Sequence, residues 1–232
     1  MTTKSFFILG TDTHVGKTAV AVSLLSALKA SGYSTVALKP LASGAQATKN
    51  GWRNEDALSL QRAATTHLPY EQVNPFCFAV ATAPHIAAAQ QACKLSVTKI
   101  AQACRPSHDA VDYRVIEGVG GALVPLNERE TMLDLVQVLG FPVVLVVGLR
   151  LGCLNHALLT YESLRIRNIP IAACVCNQID PAMSFHEENC SILSQYIQTP
   201  FFTFAPYTKE KIGRFKLPIN WSALIENTAR LV

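Results

Sequence analysis

Six short stretches rich in apolar and β-branched residues, at 5–9, 35–39, 113–117, 143–148, 169–177 and 201–205, are separated by segments whose apolar residues recur at helical spacing. Several of the six are apolar on consecutive residues, as in Val143-Val144-Leu145-Val146-Val147. A strand of that kind is buried on both faces, which is the condition of a parallel sheet covered by helices. Helices are expected at 17–30, with Val20, Leu24, Leu25 and Leu28 on its apolar side and Gly32 just past its end, and at 55–64. Others are expected at 85–91 with Pro84 in the first turn, at 132–139 between an N-capping Thr131 and a stop at Gly140, and at 154–167, 185–196 and 221–231. Strand–helix alternation predicts an α/β fold, a doubly wound and mostly parallel sheet flanked by helices, with ligands at the carboxyl ends of the strands. Half of the 232 residues are apolar and 16% are charged, against about 25% charged in ordinary domains, so one large core is affordable. With no repeat, low-complexity run or linker, residues 1–232 are read as one domain. The longest irregular stretch, 40–54, follows the second strand, and loops that long in compact domains are often functional.

Charge excludes some classes of function. The chain has 20 basic and 16 acidic residues, net +4, and the charges are scattered. Without a basic cluster or basic helix face, a dedicated nucleic-acid binder is not expected. The longest strongly apolar run, 141–149, stops at Arg150, far short of the ~20 residues that span a bilayer. Residues 5–9 are too short for a signal-peptide core, so a soluble, untargeted protein is expected. The seven cysteines are odd in number and irregular in spacing, with no Cys-x-x-Cys and no zinc-like pairing with histidine. They are read as reduced side chains packed as small hydrophobes, in a cytoplasmic compartment. Cys174 and Cys176, on one strand, are expected to point to opposite faces.

The first strand runs into Gly10-Thr11-Asp12-Thr13-His14-Val15-Gly16-Lys17-Thr18, where a helix begins. Gly-Lys-Thr at a strand-to-helix turn is a recipe for gripping a nucleotide's phosphates. Backbone N–H groups face the anion, Lys17 adds positive charge, and the Thr18 hydroxyl can ligate Mg²⁺. The usual loop has four residues between its glycines, whereas here five separate Gly10 from Gly16. The placement between strand and helix carries the reading of a P-loop nucleotide-binding fold.

Mg²⁺ bound to phosphates needs one or two carboxylates besides its waters. Glu117 ends the third strand, where a P-loop fold sets its second acidic residue, and Gly118, Gly120 and Gly121 follow it. Asp56 lies in the first turn of the helix after the long loop; taken alone it reads as an acid stabilising the helix dipole. Lys39 closes the second strand on the edge where the phosphate loop lies. It suits stabilisation of charge on a transferring phosphoryl group, and an ordinary solvated lysine is equally compatible with the pattern.

In blocks spread over nearly the whole chain, the sequence resembles the ATP-dependent dethiobiotin synthetase family. The blocks are Gly10-Thr11-Asp12-Thr13-x-Val15-Gly16-Lys17-Thr18, Lys39-Pro40-x-Ala42-Ser43-Gly44, Arg53-Asn54-x-Asp56-Ala57, Asn74-Pro75-Phe76, Pro84-His85, Glu117-Gly118-x-Gly120-Gly121, and Val147-Gly148-x-x-Leu151-Gly152-Cys153-Leu154-Asn155-His156-Ala157. The resemblance implies an ATP-dependent, Mg²⁺-requiring cyclo-ligase of biotin biosynthesis. Its reaction carboxylates 7,8-diaminononanoate with CO₂ to a carbamate, activates that as a carbamic–phosphoric anhydride, and closes the cyclic urea of dethiobiotin with release of ADP and phosphate. It further implies that Thr13, His14, Val15, Gly16, Lys17, Thr18 and Ala19 hold the ATP phosphates, while Asn177 and the turn Ala205-Pro206 line the base pocket. Thr18, Asp56 and Glu117 would bind the metal, Lys39 and Lys17 would be catalytic, and Thr13, Lys39, Ser43 and Gly118 would face the diamine and carbamate. Gly152, Cys153, Leu154 and Asn155 would come from a second subunit and hold the substrate carboxylate at a helix N-terminus, making an obligatory homodimer with shared active sites. His14 departs from the family, which often has Glu there, and a histidine can add positive charge near neutral pH.

Two other readings compete. Asn177-Gln178-Ile179-Asp180 resembles the Asn-Lys-x-Asp element with which P-loop GTPases read guanine, but Gln178 replaces the lysine. Partitioning and metallocluster-carrier ATPases carry an extra signature lysine near the start of the loop, where this chain has Thr11.

Overall fold

The computed structural model of the protein describes residues 3–105, 111–204, 219 and 221–227. In chain order it begins with β1 (Lys4–Gly10), α1 (Lys17–Ala30), β2 (Thr35–Leu38), β3 (Leu41–Ala42), β4 (Gln46–Thr48), β5 (Gly51–Arg53), α2 (Glu55–Ala63), α3 (Tyr70–Val73) and β6 (Phe76–Cys77). It continues with α4 (Pro84–Gln90), α5 (Val97–Ala103), β7 (Tyr113–Glu117), α6 (Met132–Leu139), β8 (Val143–Gly148), α7 (Cys153–Ile166), β9 (Ile171–Asn177), α8 (His186–Tyr196), β10 (Phe201–Phe204) and α9 (Ser222–Asn227).

Six strands form the central sheet in the order β10-β9-β8-β1-β7-β2, and every pairing in it is parallel. The six apolar stretches of the sequence are these six strands. From β1 the chain crosses to β2 and returns through β7, then passes to β8 on the other side of β1. The crevice at such a reversal, beyond the carboxyl ends of the strands, is where open α/β sheets place ligands. Register fixes what stands on that edge: Ile8 lies opposite Glu117, Gly10 opposite Val146, and Gly148 opposite Asn177.

Because strand side chains alternate, the consecutive apolar residues fill two cores. Phe7, Leu9, Ile116, Leu145 and Val147 face the side covered by α4 to α8, and Phe6, Ile8, Val115, Val144 and Val146 face α1 and α9. The Trp221 indole N–H donates to the Ser23 hydroxyl at 3.0 Å, tying the chain before α9 to α1. Gly140 ends α6 in the left-handed region at φ 67°, as a helix-stopping glycine does.

Several expectations need correction. Residues 40–54 are not irregular: they hold β3 and the antiparallel hairpin β4–β5. The short elements α3 and β6, and the helix α5 capped by Ser96 accepting from the Lys99 N–H at 3.3 Å, were not foreseen. Cys174 and Cys176 share one core rather than opposite faces, since residues two apart on a strand point the same way. All seven cysteines are free thiols. Residue 205 of the last expected strand and residues 228–231 of the last expected helix lie outside the described residues.

Candidate active site

The loop between β1 and α1 is braced from beneath. The Lys17 ammonium donates to the Asp12 carbonyl at 2.8 Å and to the Gly120 carbonyl at 3.0 Å, so it lies folded across the loop. The Asn177 amide at the end of β9 donates to the Val15 carbonyl at 3.0 Å. The Asp12 carboxylate accepts from the Thr13 N–H at 2.7 Å and pairs with Arg150. Gly16 stands at φ 92°, where a Cβ would come within 2.1 Å of the Asn177 amide nitrogen. Glycine is therefore required there on two counts, backbone conformation and space. His14 is also left-handed, at φ 59°, a conformation for which histidine is one of the few enriched non-glycine residues. Burial, and then the positive charge of Lys39, hold the Lys17 amine down at about 8.

Beside the loop lies a cluster of buried charge. The Glu117 carboxylate is 1% exposed; its Oε1 accepts from the Lys39 ammonium at 2.6 Å and from the Thr18 hydroxyl at 2.9 Å. Lys39, 3% exposed, also donates to the Gly118 carbonyl at 3.0 Å and approaches Asp56 at 3.6 Å. Burial drives the Glu117 carboxyl upward against the opposing pull of Lys39, since a desolvated carboxylate disfavours its charged form. The other oxygen, Oε2, is buried without a hydrogen-bond partner. An orphaned carboxylate oxygen next to a threonine hydroxyl, with Asp56 across from it, is the hard-oxygen set that suits Mg²⁺ shared with phosphates. Among the described residues, no cluster of three or more His, Cys, Asp or Glu could hold a metal by itself.

These groups open into a cleft of about 1060 Å³. Of the residues singled out from sequence, Thr13, His14, Gly16, Lys17, Thr18, Ala19, Lys39, Ser43, Asp56, Glu117 and Asn177 line it. Val15 does not: its side chain is buried, and a Cβ on Gly148 would come within 2.9 Å of its Cγ1. Only its backbone belongs to the loop. Gly118 is buried behind Lys39 and contributes its carbonyl. Gly152, Cys153, Leu154 and Asn155 start α7 away from the cleft, and the Cys153 thiol is in the core. Ala205 and Pro206 lie outside the described residues. Sequence reasoning missed the apolar wall of Ala81, Ala83, Val119, Val124 and Pro125, residues that no charge or spacing marks as ligand-facing. It also missed the pairing of Arg150 with the loop, for which the sequence carries no signal.

A glycine-bearing loop from strand to helix, with Lys17 and Thr18 at the helix start and Glu117 ending the adjacent strand, defines a P-loop nucleoside triphosphatase fold. The family model described as "AAA domain" matches residues 4–211. A ParA family ATPase from Chlorobium tepidum is similar in structure (TM-score 0.54, 13% identity, 89% of this chain and 86% of that one). So is a nucleotide-binding protein from Archaeoglobus fulgidus solved with ADP (TM-score 0.52, 14% identity, 89% and 83%). At such identities the likeness is one of fold. In sequence the chain is 49% identical over 206 residues to the ATP-dependent dethiobiotin synthetase BioD of Cellvibrio japonicus, covering 89% of this chain and 90% of that protein. It is 45% identical to the BioD of Pseudomonas aeruginosa (89% and 91%) and 42% identical to that of Yersinia pestis (90% and 87%). The chain belongs to the ATP-dependent dethiobiotin synthetase family.

Proposed function

We infer that this protein is the ATP-dependent ligase that carboxylates 7,8-diaminononanoate with CO₂ and closes the ring to dethiobiotin, a step of biotin biosynthesis. The family membership supports it, and the observation that carries it is the seating of Lys39. A P-loop that only hydrolyses nucleotide is served by Lys17. Here a second buried lysine stands between Glu117, the Gly118 carbonyl and Asp56, where an acceptor for the γ-phosphate has to sit.

In this reading the N–H groups of the loop and of the start of α1 receive the triphosphate, and Lys17 exchanges its two carbonyls for phosphate oxygens. Thr18, Glu117 and Asp56 would hold Mg²⁺, which would supply neutralisation of the phosphate charge. One amine of the substrate adds to CO₂ and loses a proton, giving a carbamate that Lys39, Thr13 and Ser43 orient. A carbamate oxygen attacks the γ-phosphorus and ADP leaves. The second amine then attacks the carbamoyl carbon, phosphate departs, and a proton is lost as the urea closes. The apolar wall of the cleft takes the substrate's hydrocarbon chain and keeps water from the anhydride.

The start of α7 supports the shared-site dimer. Gly152 to Asn155 do not line their own cleft, Leu159 and Ile166, seven apart on one face of α7, are 60% and 74% exposed, and Leu151 just before the helix is 96% exposed. A second copy covering that face would bring its Leu154 and Asn155 N–H groups, unbonded within a helix start, toward the substrate carboxylate. The free cysteines fit a cytoplasmic location, and the family match from residue 4 to 211 fits one domain. The guanine-reading alternative has less support, because Gln178 stands where that element carries its lysine and the relatives in sequence are dethiobiotin synthetases.

The test is phosphate release from MgATP with diamine and bicarbonate, each omitted in turn. Phosphate formed only when all are present supports the ligase; equal hydrolysis without diamine contradicts it.

A further inference from the structure

Lys39 and Asp56 reach the cleft from separate elements, the end of β2 and the first turn of α2. β2 is the edge of the central sheet, so the peptide groups of Lys39 need a partner from outside it. Residues 70–78 provide one. The Lys39 N–H donates to the Val73 carbonyl at 2.8 Å, and the pairing continues through Phe76 N–H to the Pro40 carbonyl at 3.1 Å and Phe78 N–H to the Ala42 carbonyl at 2.8 Å. The bonds to residues 40 and 42 are out of step with the one from residue 39, and the residue of the second segment between Asn74 and Phe76, beside the Lys39 carbonyl, is residue 75. Residue 75 is proline and has no N–H. The Asn74 side chain takes its place, donating from Nδ2 to the Lys39 carbonyl at 2.5 Å.

The same asparagine leads to Asp56. Its Oδ1 accepts from the Tyr70 hydroxyl at 3.0 Å, and that hydroxyl accepts the Asn54 N–H at 2.7 Å. Asn54 caps α2, its Oδ1 accepting from the Ala57 N–H at 3.2 Å, and Asp56 sits in that first turn. Tyr70 and Asn74 are 7% and 3% exposed. The Arg53 guanidinium lies over the Tyr70 ring at 4.1 Å and is paired with Glu71 at 3.1 Å. Burial pushes the Tyr70 phenol upward, so its hydroxyl keeps the proton it donates. The Cys77 thiol also lies 3.6 Å from the Tyr70 hydroxyl, and either can donate to the other; the chain Asn54–Tyr70–Asn74–Lys39 is continuous from the α2 cap to the Lys39 carbonyl.

We propose that Tyr70 and Asn74 are positioning residues of the ligase reaction, fixing the Lys39 ammonium and the Asp56 carboxylate relative to each other through this chain. Neither touches substrate. The proposal rests on the roles assigned to Lys39 and Asp56 above and adds the groups that set their geometry.

The test uses the full-length enzyme with Tyr70→Phe, Asn74→Ala, Lys39→Ala and, as a stability control far from the cleft, Leu193→Ala. Turnover and the Mg²⁺ concentration at half-maximal rate are measured well below each variant's Tm. For Tyr70→Phe and Asn74→Ala we expect kcat lower by about tenfold and the Mg²⁺ half-saturation raised several-fold, with KM for ATP little changed. Leu193→Ala should lose Tm and keep both kinetic values. If the two variants lose Tm but retain wild-type kcat and Mg²⁺ dependence, their role is structural only and the proposal falls. Should Tyr70→Phe fail to fold, Asn74→Ala decides alone, and if it too fails to fold the readout moves to Asn74→Ser. Wild-type turnover by Lys39→Ala would overturn the assignment of Lys39 itself, a result distinct from active-site variants that leave only Tyr70 and Asn74 without effect.

Discussion

Glu117 is a carboxylate taken almost wholly out of water and kept there by Lys39 and Thr18, so the three stand or fall together. Removing the ammonium leaves an uncompensated buried charge, which costs about 3–5 kcal/mol where such pairs have been broken. Lys39→Ala is therefore expected to lower stability and to reduce turnover by about a hundredfold or more, with nucleotide affinity largely kept because Lys17 and the loop amides are intact. Adding Glu117→Gln to it should recover much of the stability and none of the turnover, which denaturant unfolding and steady-state rates would separate. Lys17 gives a pH dependence of known sign. Its amine titrates near 8 in the folded protein against 10.5 ordinarily, so from pH 8 to 10.5 the unfolded chain holds the proton that the folded one has released. Over that window the group's contribution to stability becomes more favourable as pH rises, while the charge that meets phosphate is lost. Nucleotide affinity of the free enzyme is expected to weaken from pH 7.5 to 9 as stability from this group improves, which calorimetric titration and thermal unfolding across the range would register. At this scale Lys17, Thr18 and Glu117 were legible because motif and strand-end position mark them, whereas the position of Lys39 suited a solvated lysine equally and the family resemblance singled it out. Asn74 and Arg150 were not, because a side chain substituting for a missing N–H, or pairing with a loop 138 positions away, is visible only after folding.

The helix α6 illustrates how an element is set from both ends. Thr131 precedes it and Gly140 closes it, as its sequence implies, but the cap works through Asp134. That carboxylate accepts from the Thr131 N–H at 2.6 Å and hydroxyl at 2.7 Å, and meets the Arg167 guanidinium at 2.5 Å. Burial raises the carboxyl, yet the bonds from Thr131 and Arg167 outweigh it and bring it to about 2. A carboxylate depressed in this way stabilises fully above its unfolded value of 3.8 and loses that contribution as pH falls toward 2. Asp134→Asn should cost about 1 kcal/mol at pH 7 and progressively less between pH 4 and 2, by urea unfolding at the two extremes; an equal cost at both would contradict the account. The long elements were legible because consecutive apolar residues and helical spacing carry a period. α3, β6 and the hairpin β4–β5 are two to four residues each, too short to establish one. α3 and β6 are placed because residues 70–78 lie against residues 39–45, a tertiary fact, while β4 and β5 pair only with each other.

For the molecule as a whole, the alternation of strands and helices indicated a parallel sheet, while the strand order needed coordinates: nothing in residues 113–117 says that they insert between the first and second strands. What the whole molecule exposes also bears on assembly. If the α7 face covers a second copy, Leu159→Asp with Ile166→Asp should convert a nucleotide-independent dimer to monomer in sedimentation and abolish turnover, because Gly152 to Asn155 would no longer reach a neighbouring cleft. A fully active monomer would sink the shared site. The central claim, that one cleft joins phosphoryl transfer to urea closure, is met most directly by incubating the enzyme with MgATP, 7,8-diaminononanoate and ¹³C-bicarbonate and weighing the product. Dethiobiotin heavier by one mass unit is expected, formed with one phosphate per ring and absent without ATP. Phosphate release with no labelled urea would contradict that claim.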